Sequence, residues 1–330
     1  VVTEALTTRV TLDGTRATGV EYVKDGQTVR ATAAREVILA GGAINSPQLL
    51  MLSGIGPAAH LRAMGIAVAA DLPVGRNLQD HVTVNVGWTR PNNTSSFRDL
   101  MRFDRMALAM VQAHVTASGP ATVLPGGLHA FIKSRPDVEV PDLEFLFRGA
   151  PGDARLWFPG VKQAYADGYA IRPVILHPVS RGWLELRSAD PKDPPRIFYN
   201  LLAEQADVDL LRDGFKIARD VGGQPALAPF RGEETAPGPA VKTDAEIDTW
   251  IRQTAVTVEH PASTCAMGSG PEAVLDPEMR VRGVERLRVV DAAAMPDLPS
   301  AHLNAGVIMM SDRASDLILG RTPLPPMRPN

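Results

Sequence analysis

Two Asp-Gly pairs constrain the fold at the start of the chain more strongly than any other local signal. Asp13-Gly14 and Asp25-Gly26 separate three strand-like runs between residues 6 and 32. Because Asp-Gly readily adopts the backbone of a two-residue hairpin turn, this pattern predicts a meander of three antiparallel strands. The next run, EVILA at residues 36–40, is almost continuously apolar. Such a run is typical of a strand that is buried on both faces.

A helix is predicted directly after this strand. Gly41-Gly42 ends the strand, and Ser46-Pro47 then has the sequence of a helix start, with Ser46 as the cap and Pro47 in the first turn. A strand, a glycine pair and a helix N-terminus together form one wall of a dinucleotide-binding site. The phosphate-binding motif G-x-G-x-x-G does not occur in the sequence, so such a site lacks its most specific signal.

The middle of the chain, from about residue 81 to residue 250, has a different character. It contains strand-like runs such as VTVNVGW and PVILHP, together with many prolines and glycines. These runs predict an antiparallel sheet with long loops. An amphipathic helix is expected at residues 206–221, where apolar residues recur at helical spacing. Thr243-x-x-Glu246 has the capping-box pattern of another helix start.

Composition excludes several classes of protein. The 330 residues carry a formal net charge of −3, which gives no electrostatic reason to bind nucleic acid or an anionic membrane. No window approaches the roughly 18 uncharged apolar residues of a transmembrane helix. The single cysteine rules out an intrachain disulfide and fits a reducing compartment. We therefore expect a cytoplasmic protein, with peripheral membrane association left open.

Four motifs in a fixed order resemble the glucose-methanol-choline (GMC) family of flavin oxidoreductases. GAINSPQLLMLSGIG at residues 42–56 resembles the second signature of that family. HPASTCAMG, then LRVVDAAAMP, then AHLNAGVIMMSDRASDLI resemble its C-terminal part in order and spacing. The resemblance extends from about Leu6 to Leu319. It implies FAD as the cofactor and oxidation of the CH–OH group of a small-molecule alcohol, with a leaning towards choline- and alcohol-dehydrogenase-like members.

The resemblance also implies the fold. It is an α/β (α+β) protein with a partial, Rossmann-like FAD-binding domain and a substrate domain built on an antiparallel β-sheet. The expected domains are residues 1–82 and 251–330 for the two FAD-binding segments and residues 83–250 for substrate binding. Family members carry a further N-terminal portion with the G-x-G-x-x-G turn and an acidic ribose ligand, which this sequence does not contain. We therefore expect these 330 residues to be inactive alone, as a fragment or the product of a truncated gene.

The segment TVEHPASTCAMG at residues 257–268 carries the predicted general base. In the family, the matching segment lies beside the flat isoalloxazine ring, which requires small neighbours, and its histidine faces the substrate. The pKa of a free imidazole lies near neutral pH, so His260 is suited to accept the hydroxyl proton. His302 matches a second position of the family, which is held by asparagine or histidine. One of the two imidazoles is expected to take the proton while the other hydrogen-bonds the substrate oxygen. Which of the two imidazoles takes the proton is open, as is whether Glu259 points into the site or into solvent.

The resemblance implies further cofactor contacts. Asn304 and His302 match flavin contacts at the start of the terminal helix, where Asn304 is equally suited to cap the helix. The positive end of that helix faces the N1–C2 carbonyl edge of the flavin and stabilises negative charge there. Asp291 and Ala292 match the contact with the pyrophosphate and ribityl region, and Val10 matches the residue whose backbone meets the adenine. The electron acceptor, oxygen or a quinone-type carrier, is undetermined.

The other reactive side chains are interpreted as structural. Five histidines lack metal-ligand spacing, so no metal site is expected; they are His60, His81, His114, His129 and His177. Cys265 is expected to be a buried thiol, and Met309-Met310 to belong to the core. Two other functions are left open: a flavin-containing lyase of the same fold, and a truncated fragment without catalytic activity.

Overall fold

The chain divides into two compact units, which are each assembled from segments far apart in the sequence. Unit 1 consists of Val1–His81, Ser180–Ala203 and Glu259–Asn330, and unit 2 of Val82–Val179 and Glu204–Val258. The structure, a computed structural model, describes residues 1–91, 96–123, 126–322 and 324–325. Within these residues, no helix has both the length and the apolar character that crossing a bilayer requires.

Unit 1 begins with the predicted meander. The strands β1 (Leu6–Asp13), β2 (Arg16–Lys24) and β3 (Gln27–Thr32) pair antiparallel in that order. Asp25 and Gly26 have φ values of 50° and 76°. Positive φ at both central residues is the geometry that an Asp-Gly hairpin turn requires. The predicted meander is confirmed. In the first turn, however, Asp13 pairs with Arg16 as part of the ladder, and only Gly14 of the Asp-Gly pair has a positive φ.

The apolar run at residues 36–40 forms a short strand that is buried on one face only. Strand β4 (Val37–Leu39) pairs in parallel with β14 (Leu287–Val289), and these two make a separate two-stranded sheet. Val37 and Leu39 are buried, whereas the side chain of Ile38 is 44% exposed. The prediction of burial on both faces is wrong, because in unit 1 only one face of this small sheet packs against the core.

The helix after β4 begins earlier than the sequence predicted. Helix α1 (Gly42–Leu52) starts at Gly42, with Pro47 inside it and Ser46 buried instead of capping it. A proline inside a helix leaves the carbonyl four residues earlier without its donor. Here the hydroxyl of Thr264 donates to the Ala43 carbonyl at 2.7 Å. A contact from 221 residues away thus satisfies the acceptor that Pro47 leaves open.

The rest of unit 1 completes one apolar core. Its other elements are α2 (Ala58–Ala63), the hairpin β10 (Trp183–Glu185) with β11 (Arg196–Phe198), and α7 (Leu303–Leu319). Cys265 is fully buried in this core, as expected, and burial raises the pKa of its thiol well above the usual value. Met310 is buried, but Met309 is 60% exposed, so the prediction that both methionines lie in the core is wrong for Met309. Only one side of α7 packs inward.

Unit 2 is built on a seven-stranded antiparallel sheet, which confirms the predicted sheet. Strand β9 lies in its centre, with β8 and then β7 on one side. On the other side of β9 lie β5, which pairs with β13, and β6, which pairs with β12. The strands are β5 (Val82–Thr83), β6 (Val86–Thr89), β7 (Gly126–Ile132), β8 (Leu143–Arg148), β9 (Gly168–Ile175), β12 (Glu234–Ala236) and β13 (Val256–Thr257).

In the described residues of unit 2, four α-helices accompany this sheet. They are α3 (Ser96–Leu100), α4 (Phe103–Thr116), α5 (Gln205–Gly223) and α6 (Asp244–Thr254). The amphipathic helix predicted at residues 206–221 is confirmed as α5. The capping box is also confirmed, because Thr243 and Glu246 exchange side-chain to backbone hydrogen bonds at the start of α6.

Two glycines allow α5 to approach the sheet closely. A Cβ atom added at Gly214 would lie 3.0 Å from Cβ of Pro173. One added at Gly222 would lie 2.3 Å from Cζ2 of Trp88. Pro173 and Trp88 therefore point towards α5, which identifies the face of the sheet that this helix covers.

The close approach at Gly222 makes a direct prediction about stability. Gly222→Ala should lower the free energy of unfolding by about 1–3 kcal/mol, because the methyl group overlaps the Trp88 ring. Gly223→Ala is the matched control, since its Cβ would meet only Nη1 of Arg231 at 3.9 Å. The control should be neutral or slightly stabilising. Urea denaturation measures both changes, and equal stability of the two variants would contradict this packing.

Candidate active site

Three histidines of unit 1 contact one another in a row. Nδ1 of His260 lies 2.9 Å from Nδ1 of His81, and Nε2 of His260 lies 3.1 Å from Nδ1 of His302. Both ring pairs meet edge to face, with interplanar angles of 84°. The structure thus brings together the two histidines singled out in the sequence, which are 42 residues apart. It adds His81, for which the sequence predicted a structural role.

The position of the His260 proton determines the direction of both hydrogen bonds in this row. A neutral imidazole has one nitrogen that donates and one that accepts. Both ring nitrogens of His260 face other imidazoles, so a donor at one nitrogen makes the other an acceptor. If the proton is on Nδ1 of His260, it is donated to His81, and Nε2 presents a lone pair towards His302. If His81 donates instead, Nε2 of His260 carries the proton.

Two distant segments of the backbone are joined beneath these rings. The amide of Gln79 donates to the carbonyl of Ala262 at 3.2 Å, and the amide of Ala262 donates to the carbonyl of Gln79 at 3.0 Å. The amide of His260 donates to Oδ1 of Asp80 at 2.9 Å. His81 is fully buried and His260 is half-buried, so these bonds hold one imidazole in the interior and the next at its edge.

The carboxylate before His260 is at the surface. Glu259 is exposed and has a φ of 65°, a left-handed conformation that is uncommon for a residue with a side chain. This exposure fits the orientation towards solvent that the sequence left open. The strained backbone turns the chain immediately before the catalytic candidate.

Small residues after His260 allow two backbones to pack side by side. The amides of Ser263, Cys265 and Met267 donate to the carbonyls of residues 292, 293 and 294, at 3.1, 2.8 and 3.0 Å respectively. Residues 262–265 are almost completely buried in this arrangement. The sequence attributed the small residues to a flat ring beside them. The structure supplies a further reason, because the run of alanines at residues 292–294 packs directly against them.

Asp291 joins the end of β14 to the start of α1. Its Oδ2 accepts hydrogen bonds from Oγ of Ser46 at 2.6 Å and from the amide of Gly42 at 2.9 Å, and its Oδ1 accepts one from the amide of Ala293 at 2.8 Å. Burial raises the pKa of this carboxyl above its usual value, although these three hydrogen bonds oppose the change. The side chain is therefore engaged by the protein itself. The amide of Ala292 has no protein acceptor within the described parts of the chain.

The other two sequence candidates lie in different surroundings. Val10 is buried in β1, and its amide donates to Oγ of Ser53 at 2.8 Å. It lines a cavity of about 360 Å³, and none of the three histidines is among the described residues that line this cavity. Asn304 is exposed in the first turn of α7. The helix cap is His302, so the interpretation of Asn304 as the cap is wrong. The His302 side chain makes no capping hydrogen bond.

The sequence matches two models of the GMC oxidoreductase family, one at residues 1–83 and one at residues 178–311. It is similar to the mitochondrial choline dehydrogenase of Homo sapiens, with 44% identity over 326 residues, 97% of this chain and 54% of that protein. It is also similar to the oxygen-dependent choline dehydrogenase of Pseudomonas putida, with 38% identity over 329 residues, 98% of this chain and 57% of that protein.

Among solved structures, the fold is similar to a formate oxidase of Aspergillus oryzae that was studied for FAD modification. The TM-score is 0.87 at 25% identity, and the match covers 96% of this chain and 60% of that one. The chain therefore spans a little more than half the length of the proteins that it matches.

The buried carboxyl of Asp291 predicts a pH dependence of stability. A raised folded-state pKa means that the native protein holds this proton more tightly than the unfolded chain does. Its stabilisation is present at low pH and is lost as the pH rises through the folded-state pKa. The stability of the wild type relative to Asp291→Asn should therefore fall as the pH rises above about 4, the ordinary pKa of an aspartate. Urea denaturation of both proteins across this range measures the difference.

Asp276 provides a control with the opposite sign. Burial would raise the pKa of its carboxyl, but hydrogen bonds from the backbone and guanidinium of Arg280 and from the amide of Glu278 lower it overall. The stability of the wild type relative to Asp276→Asn should therefore rise with pH over the acid range. A difference for Asp291→Asn that is flat, or that rises like the control, would contradict the assignment.

Proposed function

Because the chain belongs to the GMC oxidoreductase family, we propose that it provides the catalytic histidines of an FAD-dependent enzyme that oxidises the CH–OH group of a small alcohol. The observation that carries the proposal is the 3.1 Å contact between His260 and His302. FAD is the cofactor that family membership assigns. The similarity to choline dehydrogenases supports alcohol oxidation as the reaction class.

Several groups of unit 1 fit an FAD. The first turn of α7 has amide hydrogens that no side chain caps, beside His302 and the exposed Asn304. Such amides favour negative charge, which suits the carbonyl edge of a reduced ring. The amide of Ala292 also lacks a protein acceptor within the described residues. We assign the carbonyl edge of the flavin to the amides in the first turn of α7. We assign the pyrophosphate and ribityl region of the cofactor to Ala292 and the backbone of Asp291.

Val10 remains the proposed contact for the adenine. It lines a cavity of unit 1, and its amide already donates to Oγ of Ser53. An adenine that uses this amide must displace that hydroxyl. The predicted roles of residues 1–82 and 251–330 in FAD binding, and of residues 83–250 in substrate binding, are part of the same proposal.

His260 accepts the hydroxyl proton in the proposed reaction. Bound FAD supplies the acceptor for the hydride that leaves the alcohol carbon. The electron pair of the O–H bond then forms the carbonyl bond of the product, and the proton remains on Nε2 of His260. The hydroxyl oxygen inserts between Nε2 of His260 and Nδ1 of His302, which otherwise contact each other directly at 3.1 Å. Nδ1–H of His302 then donates to this oxygen instead of to Nε2, and so orients the hydroxyl. General-base catalysis of this kind requires a lone pair on Nε2 before the reaction.

His81 is a positioning residue in this scheme. Its Nδ1 accepts the Nδ1 hydrogen of His260, which fixes the tautomer of His260 that has a lone pair on Nε2. His81 must then carry its own proton on the other nitrogen. Because His81 is fully buried, its ring orientation is set by packing.

The catalytic pair is tested by anaerobic flavin reduction in the complete, FAD-loaded protein. His260→Ala should slow flavin reduction by an alcohol by roughly 10²–10⁴-fold, the usual contribution of a positioned base. His302→Ala should slow it as well, and the double variant should lose less than the product of the two effects because the imidazoles act together. Stopped-flow absorbance of the flavin band measures all three rates.

His114→Ala is the control, since His114 is an exposed residue of α4 in unit 2. It should leave the rate unchanged. Flavin reduction by His260→Ala at close to the wild-type rate would refute the assignment. An alcohol that binds to the wild type without any change in the flavin band would favour a lyase of the same fold instead.

A further inference from the structure

Arg172 is a buried cation without a protein partner in the described part of the chain. It lies in the central strand β9 of unit 2 and is only 9% exposed. Its guanidinium has neither a hydrogen bond nor a carboxylate within 4.0 Å among these residues. Buried charges in proteins are normally paired, because an isolated one loses its hydration without compensation. An unpaired buried guanidinium is therefore a group that an anion can stabilise.

The register of the sheet identifies the face on which Arg172 lies. Pro173 points towards α5, so Arg172, its neighbour along the strand, points to the opposite face. Leu146 is paired with Arg172, and Arg148 is paired with Ala170. Arg148 is thus the diagonal neighbour of Arg172, at a distance that long side chains bridge. The two guanidinium groups share one face.

A third donor joins this face from the other side of β9. Thr83 pairs with Val174, and Val86 pairs with Ile171. The same register places Asn85, which is exposed, opposite Arg172. Arg172 therefore has a guanidinium on one flank and a carboxamide on the other.

No carboxylate of the described residues neutralises the positive charge of Arg172 on this face. Arg148 is exposed and likewise has no hydrogen bond or ion pair within the described residues. Burial and then the repulsion of Arg148 lower the pKa of Arg172 to about 10, which leaves it charged at neutral pH. Glu144 lies on the same face, but its Oε1 is 2.7 Å from Nδ1 of His129 and it makes no ion pair with Arg172.

We propose that Arg172, Arg148 and Asn85 form a binding site for the carboxylate group of a small molecule on this face of unit 2. Guanidinium groups bind carboxylates through two parallel hydrogen bonds, and an amide adds a further donor. The same charges disfavour a quaternary ammonium group at this position, since like charges repel. The carboxylate belongs either to the alcohol substrate or to a separate small acid. The first alternative rests on the proposed function.

Binding is tested with propionate and its uncharged counterpart propionamide in the FAD-loaded protein. Isothermal titration calorimetry should show that propionate binds more tightly than propionamide. Arg172→Gln should weaken propionate binding by about tenfold or more, the loss expected for a charge-assisted hydrogen bond. Arg155→Gln is the matched control, because Arg155 is an exposed arginine of unit 2 that contacts Asp153. Equal binding of the two probes, or equal effects of the two variants, would overturn the proposal.

Thermal denaturation gives a second test that does not depend on a ligand. Removing an unpaired buried charge relieves a desolvation penalty, so Arg172→Gln should unfold at the same temperature as the wild type or higher. A loss of stability clearly larger than that of Arg172→Met, which likewise removes the charge but keeps an apolar side chain, would mean that the guanidinium has a partner in the folded protein. That result would also overturn the proposal.

Flavin reduction distinguishes the two sources of the carboxylate. The ratio of kcat/KM for 3-hydroxypropionate to that for its amide should fall about tenfold or more in Arg172→Gln if the carboxylate belongs to the substrate. An unchanged ratio together with weakened propionate binding assigns the site to a separate acid and still supports it. If no alcohol reduces the flavin, the proposed function fails, whereas the calorimetry continues to decide the site.

Discussion

The paired hydrogen bonds between Gln79 and Ala262 fix the arrangement on which the candidate active site depends. They join two segments whose histidines, His81 and His260, are 179 residues apart in the sequence. Asp80 then holds the amide of His260, so both the backbone and the ring of this residue are oriented by the segment that ends at His81. A general base gains efficiency from such fixed orientation, because its lone pair does not have to be selected from many conformations.

The same unit shows how polar contacts compensate for irregular backbone. Asp291 holds the start of α1 through Ser46 and Gly42, and Thr264 satisfies the carbonyl that Pro47 leaves without a donor. Both contacts are long-range in sequence, and both lie next to the small residues that bring two backbones together. Stability and the geometry of the candidate site therefore depend on the same few side chains.

Local features of the fold were predictable from sequence, and long-range ones were not. The Asp-Gly turns and the capping box at Thr243 act within a few residues, so their sequence patterns predict them directly. The start of α1 was misplaced because the partner of Ala43 is 221 residues away. His81 was missed for the same reason, since no spacing along the chain relates it to His260. The exposure of Ile38 and Met309 depends on what packs against β4 and α7, which periodicity does not specify.

The central claim is that His260 holds its proton on Nδ1, towards His81, and presents a lone pair on Nε2. Nitrogen-15 NMR of the FAD-loaded protein, labelled at histidine, observes the tautomer directly and detects scalar coupling across N–H···N hydrogen bonds. The predicted result is a single His260 tautomer protonated at Nδ1, with coupling between Nδ1 of His260 and Nδ1 of His81. A proton on Nε2 of His260, or averaged shifts of both nitrogens without coupling to His81, would contradict the claim.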